Sequence, residues 1–137
     1  MRQSIQQIFH WVIKIIAALI MLQTLYFKFS ASEESVYIFT QMYMEPWGRY
    51  ATGIAELTAS LLILYRATTF IGAMLTLGIM SGAIAAHLFV LGVEVKNDHG
   101  LLFIYALVTW LLALILIWLN RQQLIDIFNK FKKLRQD

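Results

Sequence analysis

The sequence predicts an all-α integral membrane protein: an antiparallel four-helix bundle, a short amphipathic helix in its first outer loop, and an amphipathic cytoplasmic helix at its C-terminus. Three observations carry this expectation. Of 137 residues, 60% are hydrophobic and only 14% charged, where soluble domains carry roughly 25% charged residues, and mean hydropathy is +0.68. The apolar residues gather into four stretches of near membrane-spanning length. The bases collect on one side of those stretches. Such a composition excludes disorder, nucleic-acid binding as a main role and an ordinary soluble enzyme. With no cysteine, disulfides, thiol nucleophiles and thiolate metal sites are excluded as well.

The first stretch, 8–27, is disturbed only by Lys14 and Gln23. Twenty helical residues rise ~30 Å, the thickness of a hydrocarbon core. It is expected to be a retained helix, not a cleaved leader, because the apolar run is long and Lys14 interrupts it. The second stretch, 47–64, carries Arg49 near its start and Glu56 inside. The third, 69–91, has His87 as its one ionisable acid or base, and the fourth, 101–119, has only Tyr105. A helix satisfies its own backbone polar groups, so each run reads as a transmembrane helix. The alternation that a barrel strand requires is missing.

The connections order these helices. Residues 65–68 make a tight link, so the second and third helices form an antiparallel hairpin. In 28–46, Ser30 or Ser32 can cap a short helix with Glu33 and Glu34 in its first turn. Val36, Phe39 and Tyr43 recur there at helical spacing, and the helix is expected over one mouth of the bundle. Pro46 suits the first turn of the next helix. Residues 1–119 are thus the bundle and 120–137 a basic tail, with Leu124, Ile125, Ile127, Phe128, Phe131 and Leu134 among its bases. That pattern suits an anionic inner leaflet. Arg2, Arg66, Arg121, Lys130, Lys132, Lys133 and Arg135 fall on the side of the termini, against Lys28, Arg49 and Lys96 on the other, so both termini are expected in the cytoplasm. The net charge of +3 marks that face and does not signal nucleic acid.

Ionisable residues inside spans are costly and usually face the bundle interior with a partner. Lys28 ends the first helix, Glu56 lies ~10 Å below the outer boundary and His87 ~6 Å below it. Ala17, Met21, Thr24 and Lys28 share one face; Gly53, Glu56 and Ser60 another; Thr76, Met80, Ala83 and His87 a third. These faces aim Lys28, Glu56 and His87 at one outward pocket, rimmed by Tyr26, Tyr43, Trp47, Arg49, Asp98 and His99. The pocket suits a quinone headgroup or another small molecule, or a proton-coupled role in which Glu56 exchanges a proton. A plainer account also fits: Glu56 pairs with Lys28 or His87 and the pair sets helix register. Catalytic residues stay unassigned, with catalytic activity of the chain on its own not favoured, and no covalent cofactor or metal site is expected; His87, Glu94, Asp98 and His99 match no ligand spacing. Gly78-Ile79-Met80-Ser81-Gly82 has the spacing for close helix approach, expected inside the bundle.

The placement of Lys28 within Phe27-Lys28-Phe29, the Gly53-Ile54-Ala55-Glu56 segment followed by Ser60-Leu61-Leu62-Ile63-Leu64, and the basic turn Tyr65-Arg66-Ala67-Thr68 leading into a Gly/Ala/Met-rich helix resemble the DoxX family of small four-helix membrane proteins. The resemblance spans about residues 8–119. It implies a place in the bacterial inner membrane and an accessory role in a quinone-linked redox system, with quinone or lipid as ligand and another membrane redox protein or a second copy as partner. Relatives of that family that resemble receptor-assembly chaperones imply an alternative, an assembly factor for another membrane protein. A small proton-coupled transporter is a third expectation, and would require an oligomer.

Overall fold

The computed structural model describes residues 1–135. Its helices follow one another as α1 (Arg2–Phe29), α2 (Glu33–Gln41), α3 (Trp47–Leu64), α4 (Thr69–Ala86), α5 (Leu101–Leu119) and α6 (Arg121–Leu134). A 3-10 turn at Arg66–Thr68 leads into α4, and a π-helical turn at His87–Leu91 continues it. Three of these segments, Arg2–Phe29, Arg66–Leu91 and Leu101–Leu119, are long and apolar enough to cross a membrane. α3 has 18 residues but is less apolar, because Arg49, Thr52, Glu56, Thr58 and Ser60 interrupt it.

α3 packs between α1 and α4, and α5 packs on both α4 and α1, so the four helices close a ring whose sparsest seam is α1–α5. His10 near the start of α1 meets Asn120 at the end of α5, 2.9 Å apart, which fixes those two helices as antiparallel. The α3–α4 hairpin is closed by its threonines. Thr69 donates to the carbonyls of Ile63 (3.1 Å) and Tyr65 (3.0 Å), and Thr68 to that of Leu62 (2.9 Å), serving acceptors that the end of a helix leaves open. Gly72 permits the approach: a Cβ there would lie 2.6 Å from the backbone nitrogen of Ile63.

The closest packing inside the ring is made by small residues, with Met21, Ile63 and Leu116 beside them, and the exterior is made of large ones. Ala17, Ala59, Ala73 and Ala113 are wholly buried, while Leu19, Leu61, Leu88, Phe89, Ile104 and Leu111 are at least half exposed. A water-soluble core would be the reverse, whereas helices that meet in lipid do so through small side chains. Two segments lie off the ring. α2 is capped by Ser32, which accepts from the N–H of Ser35, and it buries Ser35 and Phe39. The start of α6 is pinned to the α3–α4 turn by Gln123, which accepts from the N–H of Phe70 at 3.0 Å and donates to the carbonyl of Arg66 at 2.8 Å. Beyond it, Leu124, Ile125, Phe128, Phe131 and Leu134 stay exposed.

Candidate functional site

Four of the side chains singled out in the sequence meet at one cavity. Lys28, in the last turn of α1, places its Nζ 2.5 Å from Oε2 of Glu56 in α3. The hydroxyl of Thr24, one turn below Lys28, lies 2.9 Å from the same oxygen and also donates to the carbonyl of Met21. Gly53 lets the helices approach here, since a Cβ would sit 3.1 Å from the ring of Phe29. Glu56 and His87 are each only 5% exposed. His87 opens the π-helical turn, its Nδ1 is 2.9 Å from the carbonyl of Gly92, and its ring meets Phe103 edge-on. A carbonyl only accepts, so Nδ1 carries the proton of that contact.

Lys28, Glu56, His87 and Asp98 all line a cavity of about 660 Å³. α2 forms its roof through Ser35, Ile38, Phe39 and Met42. Met21, Met80 and Ala106 form its floor, below which Ala17, Ala73 and Ala113 pack closed. The sides are not sealed. Gln23 and Phe27 of α1, Gly78 and Gly82 of α4 and Leu101 of α5 line the cavity and are also exposed on the outside of the bundle. The chamber is therefore mainly apolar, with a buried ion pair and an imidazole in its wall and lateral openings.

No protein-family model matches the chain, and no curated protein or solved structure matches it.

The residues expected at the rim have mixed fates. Asp98 lines the cavity, but its carboxylate is spent on the backbone: it accepts from the N–H groups of Val95 (2.8 Å), Gly100 (2.9 Å) and Leu102 (3.1 Å). Burial opposes its charge, yet these three donors, helped by His87, hold its carboxyl below the usual value. Here Asp98 ties down a loop in which Lys96, Asn97, His99 and Gly100 all have positive φ, and it stands at the N-terminus of α5, where an acid is favoured. Arg49 is buried, held by Glu45 (2.7 Å) and donating to the carbonyl of Lys28, so it fastens α3 to the end of α1 and does not line the cavity. Tyr26, Tyr43 and Trp47 are exposed, as is His99, 4.0 Å from Glu94, and none of them lines it.

Three features lay outside the sequence reading. Thr24 joins the ion pair, although it had been placed only on a helical face. Glu34 of α2 lines the cavity roof, where burial and then the neighbouring Asp98 push its carboxyl up. The Gly78–Gly82 stripe was expected to bring helices together, but a Cβ at either position would meet nothing within 4 Å. Gly72, one small residue among many in the sequence, makes the close approach instead.

Proposed function

We propose that this chain is a four-span membrane protein of DoxX type, with both termini in the cytoplasm, that binds a quinone or lipid in the outer half of its bundle and serves as an accessory subunit of a quinone-linked redox system. The observation that carries the binding site is the Lys28–Glu56 pair in the wall of a laterally open, mainly apolar cavity. An amphiphile dissolved in the bilayer reaches such a chamber from the side, leaves its chain among apolar groups and sets its head against hydrogen-bonding ones. α3 serves as the fourth span because its polar residues are compensated: Glu56 by Lys28, and Arg49 by Glu45. The closed floor below Met21 and Met80 favours binding over transport.

The test is extraction of the chain in its native lipid, with mass spectrometry of what accompanies it. Quinone or a specific lipid should be enriched over the bulk membrane in the wild type and reduced to bulk level in Glu56→Gln, with helix content unchanged. Equal enrichment in both, or none in either, overturns the proposal. Because the chain is free of cysteine, single cysteines at Lys96 and Arg121 report topology by labelling from opposite sides.

A further inference from the structure

α6 buries none of its residues. Leu124, Phe128 and Phe131 recur at i, i+4 and i+7 and form one stripe along it, edged by Ile125 and Leu134. All five are between 49% and 69% exposed. Gln122, Asp126 and Asn129 fall on the opposite face. Lys130 and Lys132 stand on either side of the stripe, where their apolar stems can lie along it while the ammonium groups reach outward. From 121 to 135 the chain carries five bases and one acid, Asp126. An apolar stripe flanked by bases is the pattern of a helix that lies in a membrane surface.

The root of this helix is held at one end of the bundle. Trp118, in the last turn of α5, is 64% exposed. Arg121 donates to its carbonyl at 2.9 Å and lies over its ring at 4.9 Å. Exposed Trp and Arg at the end of a span mark the headgroup layer. Gln123 binds the α3–α4 turn at that same end. Leu124 is only ~5 Å along the helix from Arg121, so the stripe starts where headgroups meet acyl chains. We propose that α6 is a docking surface for anionic lipid, its apolar stripe seated in the leaflet on its own side of the bundle and its bases on lipid phosphates. This rests on the spanning reading above and adds a second lipid contact, one that depends on headgroup charge. A second copy of α6 is the competing occupant. It is disfavoured because two such helices would set bases against bases, with only Asp126 to answer them.

The experiment uses the full chain in nanodiscs of phosphatidylcholine alone and of phosphatidylcholine with phosphatidylglycerol. The chain has no cysteine, so Phe128→Cys on the stripe and Asn129→Cys on the opposite face report seating through their rates with an uncharged polyethylene-glycol maleimide. The rate at Phe128→Cys, relative to that at Asn129→Cys, should fall at least about tenfold when phosphatidylglycerol is present, the scale of two bases held near an anionic surface. The fall should vanish in about 1 M salt, where the Debye length shrinks to ~3 Å. Lys130→Gln, Lys132→Gln and Lys133→Gln together should abolish it, and arginine at the same three positions should keep it, with helix content unchanged in both. Equal relative rates in the two lipids overturn the inference, whether both are fast, with the stripe in water, or both slow. Shielding that follows the loading of two copies per disc, and not phosphatidylglycerol, assigns the stripe to a second copy and overturns it as well. Each of these outcomes leaves the ligand site of the bundle standing. Release of the chain from membranes by alkaline carbonate overturns the spanning reading and this inference together.

Discussion

The two halves of the bundle treat a lysine in opposite ways: Lys28 is partly exposed and paired, and Lys14 is wholly buried and, among the described residues, unpaired. In the half beneath α2, the outer half in the proposed topology, the helices part around the cavity, and Lys28 there has an acid at 2.5 Å and a threonine beside it. In the inner half they close on wholly buried alanines, and Lys14 is sealed among them. It is 0% exposed and its Nζ has no hydrogen-bond partner among the described residues; its described support is the ring of Trp11, 4.4 Å away. A cation over an aromatic face gains something, but less than an acid in direct contact would return in a desolvated site. The outer half therefore combines open space with compensated charge, which is how a binding site is built. The inner half combines close packing with a charge the packing tolerates, which is how a plug behaves.

The largest way to break this contrast is to strip Lys28 of its acid. Glu56→Leu leaves a partly buried ammonium without its counter-ion and should destabilise the bundle by about 2–3 kcal/mol, somewhat less than for a fully buried pair, measured by reversible unfolding in mixed micelles. Removing both charges, Lys28→Met with Glu56→Leu, should recover most of that loss, because the cost lies in the orphaned charge more than in the missing pair. If the double variant is as unstable as the single one, the pair is itself the main stabilising element and the register account of these residues is the better one.

The inner half should answer with the opposite sign. Lys14→Met keeps the length of the stem and removes the charge, so it should stabilise by on the order of 2 kcal/mol, somewhat below the penalty of a lysine at a span's centre. A loss of stability instead would mean that the ammonium has a partner in the membrane, and the two lysines would then be alike.

The next effect is smaller and depends on pH. Asp98→Ala removes the acceptor of three backbone N–H groups at the start of α5 and should cost about 1–2 kcal/mol at neutral pH. Because the folded state holds this carboxyl below its ordinary value, its charge contributes in full above that value, and the contribution fades as pH falls through the lower, folded one. The gap between wild type and variant should therefore be flat from neutral pH down to about 4 and narrow below it. A gap that widens in acid would mean that the protonated form is the one the loop prefers.

Much of this contrast could be read from the sequence, for identifiable reasons. The ends of α3 and α5 fall at the boundaries that hydropathy sets, because Pro46, Gly100 and Asn120 punctuate the chain there. α1 begins earlier than its apolar run, at Arg2, since Arg2, Gln3, Gln6 and Gln7 are good helix formers and only their polarity sets them apart from the run. Periodicity placed Lys28, Glu56 and His87 on inward faces because a charge in a span has few other places to go. It passed over Lys14, which it read only as an interruption of the first span, because burial without a partner depends on which helix lies opposite. Nor did it separate Gly72 from Gly78 and Gly82, since whether a neighbour fills the space beside a glycine is a property of the ring. Asp98 and Arg49 are polar and near the outer end, so composition assigned them to a rim, while their hydrogen bonds go to the backbone and to Glu45.

The smallest effect sharpens the comparison by adding a third lysine. Lys96 pairs with Glu33 of α2 at 2.8 Å, nearly the separation found for Lys28, and it also lies over the ring of Tyr37. The difference is water: the side chain of Glu33 is 89% exposed, so solvent and salt screen the pair. Lys96→Ala should leave the unfolding midpoint unchanged at any ionic strength. Hydrogen exchange of the α2 amides should be unchanged as well, because the roof is held by the burial of Ser35 and Phe39 and by the Ser32 cap. Faster exchange confined to 33–41 in this variant would make an exposed pair the strap of the roof, and distance alone, not burial, would then decide which lysine pairs matter in this fold.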